Sequence, residues 1–457
     1  MDKPNIILIN CDDLGYGDLG CYGSTVHQTP AIDRLAAEGT RLTSFYMASA
    51  VCSPSRCAMM TGCYPPRISC GEFEGRGVLF PGQGVGLNPE ETTIPKLLKD
   101  AGYATALIGK WHCGDQPEFL PTRHGFDHYY GLPYSNDMGI QKVRPDVKNP
   151  LPLMRDEEVI QEQPEQESLT ERYVEESVRF IRDNRDGPFF LYLAHMYVHR
   201  PLLVPERFLA ESGNGPYGGA VQCIDWAMDV LLKELDRLGL AEDTLIIFTS
   251  DNGSKGESGG NDGGSNLPLR GHKAQTFEGG IRVPCILRWP GKIPAARVEQ
   301  GIFSAIDFLP TFGALASAGR PSEMIDGLDG SSWLLGEETA SPRDTFAYYA
   351  GNRLSAVRKG PWKLMHTSDD EQGNKRVELY HLDHDIAESV NRYDDEPEVV
   401  RDLELLWRAV AEDIGDSVDG IAGRNIRPIG RVANPKTLTE YDPEHPYMIA
   451  SYDGDTG

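Results

Sequence analysis

Four short, nearly unbroken apolar runs constrain this chain most: NIILI at 5–9, ATALI at 104–108, FFLYLA at 189–194 and LIIFT at 245–249. A strand with one wet face alternates apolar and polar residues, whereas a strand covered on both faces does not. Runs of this length are too short for ordinary helices and suit buried parallel strands. Helical patterns lie between them. TIPKLLKDAGY reads as a helix stopped at Gly102. SLTERYVEESVRFIRDNRDG places Ser168 and Glu171 at capping-box spacing and stops near Gly187. AVQCIDWAMDVLLKELDRLG is amphipathic and ends at Gly239. Strands alternating with helices predict an α/β fold, an open and mostly parallel sheet with helices on both faces.

Each apolar run leads at once into residues suited to chemistry. The first meets Asp12 and Asp13, and the second meets Gly109-Lys110-Trp111-His112. The third leads to His195 and His199, and the fourth to Asp251-Asn252-Gly253. Open α/β sheets bind ligands beyond the carboxyl ends of their strands, so four such ends predict one crevice. Asp12, Asp13, Asp251 and the Asn252 amide oxygen are hard donors, fit for Ca²⁺ or Mg²⁺ and not for zinc. Taken singly, Asp-Asp and Asp-Asn-Gly are ordinary turn residues; two such sets after two strands favour a metal site. Lys110, His112, His199 and Lys273 are suited to surround an anion and to move protons. His195, nearer its strand, fits a hydrogen-bonded core histidine at least as well. In GGSNLPLRGHKAQTFEGGIRVP, residues 263–284, the glycines let backbone approach a ligand.

The net charge of −25 bears on partners. A surface this acidic lacks the basic footprint of a nucleic-acid binder and repels polyanions at long range. Any anionic ligand must therefore be held by a local group of cations. No apolar run approaches the roughly 20 residues that span a bilayer, and no membrane partner is expected. The amino end reads as a first strand and not a secretory leader, so the cytoplasm is the expected compartment unless a leader has been removed. Nine cysteines without a C-x-x-C pair predict mostly free thiols and no structural zinc. After about Ser341 the pattern changes. LSAVRKGPWKLMH reads as two strands around a turn and VELYHL as a third. EVVRDLELLWRAVAEDI has Val399, Leu403, Leu406 and Val410 at helical spacing. This divides the chain into a catalytic domain, 1–345, and a small C-terminal subdomain, 346–457, with an irregular tail that wraps the body or meets another subunit. Oligomeric state is not readable.

Cys52 opens the remaining stretch, CSPSRCAMMTG. Locally it fits a buried thiol, a redox cysteine, a nucleophile or the precursor of something else. Cys52-Ser53-Pro54-Ser55-Arg56 followed by Thr61-Gly62 resembles the signature of type I sulfatases in the alkaline phosphatase superfamily. Asp12-Asp13, Gly109 to His112, Asp251-Asn252-Gly253 and 273–284 match the same family in the same order. Residues 124–139, HGFDHYYGLPYSNDMG, are similar to a segment of the arylsulfatase A and N-acetylgalactosamine-6-sulfatase branch. The resemblance runs from about Pro4 into the 330s, and more loosely beyond.

The resemblance implies an alkaline-phosphatase-like fold and a sulfuric ester hydrolase. It implies that a maturation enzyme converts Cys52 to formylglycine, whose gem-diol, with Asp12, Asp13, Asp251 and Asn252, holds one Ca²⁺, with Mg²⁺ as the alternative. One diol oxygen then attacks sulfur, His199 or Lys273 protonates the leaving alcohol, and the second hydroxyl, deprotonated by His112, expels sulfate. Arg56 and Lys110 steady the diol and the sulfate oxygens. The chemistry is coherent by itself, since a thiol ester of sulfate has no internal route to release and a diol does. Cys57 stands where a small residue is frequent in the family, and His272 where many relatives have glycine. His272, Asn136, Asp137 and His366 are expected substrate contacts, His366 being equally suited to a surface or domain-interface place. A sulfated carbohydrate or small ester is the expected substrate. The alternatives are a phosphomonoesterase or phosphonate hydrolase of the same superfamily, and a non-catalytic anion-binding protein.

Overall fold

The segment Asn5–Cys11 (β1) is buried along its whole length, because it lies in the middle of a ten-stranded sheet. The structure, a computed structural model, describes residues 3–141, 149–256, 263–367 and 376–447. The other strands of this sheet are β2 (Thr40–Leu42), β3 (Ala104–Gly109), β4 (His128–Gly131), β5 (Pro152–Arg155), β6 (Glu158–Glu162), β7 (Phe189–Ala194), β8 (Thr244–Ser250), β9 (Cys285–Arg288) and β10 (Arg297–Glu299). Their order is β10-β2-β9-β8-β1-β7-β3-β4-β5-β6. The central strands β8, β1, β7, β3 and β4 are parallel, and antiparallel pairings flank them. The expected α/β sheet is present, and the four apolar runs form its centre.

Successive side chains of a strand face opposite ways, and both faces here are apolar. Ile6, Leu8, Phe190, Tyr192, Leu245 and Ile247 belong to one core. Ile7, Ile9, Leu191, Leu193, Ile246 and Phe248 belong to the other. Six helices matter below: α1 (Pro30–Ala37), α2 (Cys52–Thr61), α3 (Ile94–Asp100), α4 (Leu169–Asp183), α5 (Gly215–Leu238) and α6 (Pro397–Ile414). Helices α2 and α3 cover the first face, with Met59, Met60, Leu97 and Leu98. Helices α1, α4 and α5 cover the second, with Ile32, Leu35, Tyr173, Ile224, Met228 and Leu231. Each fully buried aliphatic side chain of this kind contributes about 1.5–3 kcal/mol, which holds the sheet between two helical layers.

Helix ends follow the glycines read from sequence. Gly102 follows α3 at φ +87°, and Gly239 closes α5 in the left-handed region. The expected capping box on α4 is not formed. A 3₁₀ turn precedes the helix, so the Ser168 hydroxyl donates to Glu165 O at 2.9 Å, while Glu171 pairs with Arg207.

A second, antiparallel sheet follows: β11 (Thr345–Ala350), β12 (Arg353–Lys359), β13 (Trp362–Thr367) and β14 (Arg376–His381). Strands β12 to β14 are the expected ones; β11, largely buried and so without alternation, is an addition. Helix α6 packs on this sheet through Val400, Leu403, Trp407, Ala411 and Ile414. The buried stripe is therefore turned slightly from the predicted one, with Val399, Leu406 and Val410 on its partly buried flank. The described part of the tail lies along the body. Gly430 and Arg431 pair with Val85 and Gly86, Arg427 binds Glu91 at 2.7 Å, and Thr439 Oγ1 donates to Pro150 O at 2.6 Å. Among the described residues no helix is long and apolar enough to cross a membrane.

Candidate active site

Strand register brings the polar residues together. Cys11 stands opposite Ser250, Asn10 opposite Ala194, and Gly109 opposite Ala194. The strands thus end level, and the next residue of each emerges at one edge. Backbone bonds continue the alignment past the sheet: Asp251 N to Cys11 O at 3.0 Å, His195 N to Asn10 O at 2.9 Å and Lys110 N to Ala194 O at 2.8 Å. Gly109 is required at its position. Its φ is +112°, and a Cβ there would lie 1.8 Å from Ala194 O. Two non-glycine residues of the crevice also take positive φ, Asp13 at 65° and His112 at 61°, a conformation retained where surrounding contacts impose it.

Helix α2 begins at Cys52 and ends at Gly62, whose φ of +67° stops it. It is anchored on the fourth strand's end: Ser55 Oγ donates to Asp251 O at 2.6 Å, and Arg56 reaches the Asp251 carboxylate through Nε at 2.9 Å and Nη2 at 2.8 Å. Cys52 Sγ, an Asp12 oxygen and an Asp251 oxygen then all lie within 4.8 Å of one another, as do groups of Asp12, Asp13 and His199. All of these residues are buried.

The donor set fits a hard divalent cation. Asp12 Oδ1 and Asn252 Oδ1 are buried acceptors with no hydrogen-bond partner among the described residues. Buried acceptors of this kind are costly unless something binds them. Burial and the neighbouring Asp12 push the Asp251 carboxyl up, the signature of acids crowded where a positive charge belongs. Burial would raise Asp12 too, but Lys110, His199 and Arg56 hold it far below the carboxylate range.

Cations ring this group. Lys110, fully buried, donates to Asp12 Oδ2 at 2.5 Å. Burial works against its charge, but Asp12 raises its pKa. Lys273 Nζ sits 2.7 Å from Asp13 Oδ1 and 2.8 Å from Oδ2. Burial opposes its charge as well, and Asp13 outweighs it and holds the ammonium charged. His199 Nε2 is 3.9 Å from Asp13 Oδ2, and its Nδ1 donates to Arg200 O at 2.6 Å. His112 Nε2 is 3.0 Å from Leu79 O. A carbonyl only accepts, so the proton is on Nε2 and the lone pair on Nδ1, which has no partner among the described residues. Burial and then Lys110 push this imidazole well below its ordinary pKa, so it is neutral at pH 7. Burial lowers His195 to about 4, leaving it a neutral interior ring.

The structure thus joins Asp12, Asp13, Cys52, Arg56, Lys110, His199, Asp251, Asn252 and Lys273 through direct contacts or shared clusters. His272 is the half-exposed neighbour of Lys273, with Nδ1 on Lys273 O at 2.8 Å. Asn136 is fully buried and donates to Gln166 Oε1 at 3.1 Å and Pro201 O at 3.3 Å, which places it behind the His199 loop. Asp137 is 7% exposed in the same turn. His366 lies on β13, its ring stacked on Trp407 at 3.9 Å. Sequence reasoning missed Ser53 and the Leu79 peptide. Leu79 N donates to Ser53 Oγ at 3.1 Å, so the signature helix holds the carbonyl that fixes the His112 tautomer. It also missed Asn10 and Tyr192, linked at 3.1 Å, with Arg56 Nη1 on the Tyr192 hydroxyl at 3.4 Å. The one available signal was an asparagine inside an apolar run.

Comparison with known proteins agrees with this geometry. A family model described as Sulfatase matches residues 4–318, and one described as N-sulphoglucosamine sulphohydrolase, C-terminal, matches residues 272–410. The chain is similar to N-acetylgalactosamine-6-sulfatase of Canis lupus familiaris, 40% identical over 381 residues that cover 79% of this chain and 71% of the relative. It is 40% identical to Arylsulfatase A of Homo sapiens over 382 residues, covering 79% and 74%. A crystal structure of Ps i-CgsB in complex with k-i-k-neocarrahexaose superposes with a TM-score of 0.79 at 31% identity, covering 92% of this chain and 96% of that one. The chain belongs to the sulfatase family and is a sulfuric ester hydrolase of alkaline-phosphatase-like fold.

Proposed function

We propose that this sulfatase acts on a sulfated carbohydrate, through a formylglycine formed from Cys52 and one divalent cation, Ca²⁺ before Mg²⁺, held by Asp12, Asp13, Asp251 and Asn252. The observation that carries the reading is the pair of unpartnered buried oxygens, Asp12 Oδ1 and Asn252 Oδ1, in the crevice where Asp12 and Asp251 meet Cys52. A bound divalent cation would polarise a sulfate oxygen and favour the ionised form of a hydroxyl beside it. A hydrated aldehyde at position 52 would supply that hydroxyl and a second one through which sulfate leaves. A formylglycine-generating enzyme is the implied maturation partner.

The chain's own residues do the rest. Lys110, Lys273 and Arg56 orient the sulfate oxygens in a buried site, where fixed charges act with little screening by water. Two positions fit the leaving-group side, His199 Nε2 and Lys273 Nζ, which both face the Asp13 carboxylate. His112 is committed as a donor at Nε2, so its Nδ1 is the atom that takes a proton from residue 52 when sulfate is released. A carbohydrate is favoured by the galactosamine sulfatase relative and by the oligosaccharide in the Ps i-CgsB structure.

The test is to produce the protein with a formylglycine-generating enzyme, confirm conversion of the Cys52 peptide by mass spectrometry, and measure sulfate release from defined sulfated mono- and oligosaccharides. Release is expected to require conversion, to fall on chelation and to return with Ca²⁺. Converted, Ca²⁺-loaded protein that leaves every sulfate ester intact yet cleaves a phosphomonoester would overturn the reading.

A further inference from the structure

We propose that the cavity between the 270–277 loop and the small sheet is a subsite for an anionic sugar residue adjoining the sulfated one. This rests on the carbohydrate reading above and names the neighbour that the site selects. The cavity has a volume of about 550 Å³, with Arg270, Ala274, Arg353, His366, Arg376 and Glu378 in its wall. That is within the usual range of sites for small ligands.

Its position ties it to the reaction centre. Ala274 follows Lys273, and its amide donates to Ala50 O at 2.9 Å, two residues before Cys52. The cavity wall therefore begins one residue beyond Lys273, and the proposal places against it the neighbour of a residue whose sulfate is seated at Cys52 and Lys273.

Its charge is the second observation. The chain carries a net −25, yet among the described residues three arginines face this cavity with one carboxylate. Arg353 donates to a neutral acceptor, His366 O, at 3.0 Å. Arg270 likewise donates to the Tyr380 hydroxyl at 3.1 Å and Glu388 O at 2.9 Å. Of these three arginines, only Arg376 is ion-paired among the described residues, with Glu378 at 2.8 Å, and Glu378 also accepts from Tyr380 at 2.5 Å. Two guanidinium charges are thus left uncompensated by these contacts. Arg270 also lies over Phe277, its guanidinium carbon 4.0 Å from the ring centroid. Planar guanidinium groups grip carboxylate and sulfate alike through paired N–H donors. The shared chemistry is an anion on the adjoining sugar, and either group can supply it.

The test uses converted wild-type enzyme and the R270Q/R353Q variant on three disaccharides with the same scissile sulfated residue. The neighbour is neutral, carboxylated or sulfated. Wild type is expected to favour at least one anionic neighbour by roughly tenfold in kcat/KM, one such contact's worth. The two anionic arms show which group is selected. The preference should shrink toward one in the variant and in about 0.5 M NaCl, where exposed charges are screened. Both rates come from one preparation, so partial misfolding does not distort the ratio, and R353Q alone, changed at a half-buried position, repeats the comparison. Equal kcat/KM on all three in wild type, or an undiminished preference in the variants, would overturn the subsite alone. No sulfate release from any arm would overturn the carbohydrate reading itself, and the subsite with it.

Discussion

Lys363, on β13 of the small sheet, ties that sheet to Glu278 and Glu388, and replacing it with methionine tests how this contact is held. Its ammonium is fully buried and lies 3.0 Å from Glu278, 2.7 Å from Glu388 and 2.9 Å from Thr276 O. Glu278 also binds Tyr46 at 2.5 Å, Tyr348 at 2.8 Å and Arg282 at 3.3 Å. Burial alone would push both carboxyls up. Lys363, Arg282 and Arg358 pull Glu278 well below its ordinary range, whereas Glu388, with Lys363 alone against Glu278, stays raised. Lys363→Met strands Glu388 without a cation. Breaking a buried pair from one side costs about 3–5 kcal/mol. At about 2.1 cal/mol/K of unfolding entropy per residue, 457 residues give roughly 1 kcal/mol per degree, so Tm should fall by about 3–5 °C. Scanning calorimetry at one fixed rate measures this. Adding Glu388→Gln removes the stranded charge but keeps the acceptor for Glu278 N, and should restore about half of the loss. A K363M protein melting within a degree of wild type, or a double variant no better than the single, would refute the reasoning.

Three further outcomes are expected. Gly109→Ala should yield little soluble, active protein, because its Cβ would meet Ala194 O at 1.8 Å in a backbone of φ +112°; soluble yield and sulfate release check this. Asp225 caps α1 by accepting from Ala31 N at 3.0 Å and Ile32 N at 2.9 Å, and burial raises it from 3.8 to about 6. The unfolded chain therefore loses this proton first, and between these pH values the native state binds more protons. Stability should fall as pH rises through about 4 to 6, by at most about 3 kcal/mol from this group, and Asp225→Asn should remove that slope from the difference of the two melting curves. Ser168→Ala should shift stability by no more than about 0.5 kcal/mol, because the hydroxyl does not cap α4; a loss near the 1 kcal/mol typical of a cap, measured by denaturant titration, would contradict the observed bonding.

What the sequence showed and what it hid divide along a physical line. The central strands were legible because burial on both faces leaves local composition only one solution. The juxtaposition of Asp12, Lys110 and Asp251 was legible because parallel strands that end level put the next residue of each at one edge. Strand β11 is buried through its middle as well, and it was missed because it lacks the aliphatic run that marks the central strands. The α6 stripe was turned slightly because Val399, Leu406 and Val410 are apolar as well, and only the packed sheet decides which edge is innermost.

The hidden remainder consists of groups whose roles exist only between segments distant in the chain. Leu79 acts through its backbone, whose carbonyl accepts a hydrogen bond from His112 and whose N–H donates to Ser53; no side-chain type announces such a role. Lys363, Glu278 and Glu388 look like surface charges in sequence, and only their mutual approach makes burial tolerable. The cavity arginines follow the same rule, since Arg270 is far in sequence from Arg353 and Arg376, and each alone reads as a solvated side chain. Local pattern therefore predicts the reaction centre, which is built from strand ends, and says little about the substrate's surroundings, which are built where two sheets meet. For this reason the grouping of Asp12, Lys110 and Asp251 is readable from one chain, while the grouping of Arg270, Arg353 and Arg376 has to be read from the packed structure.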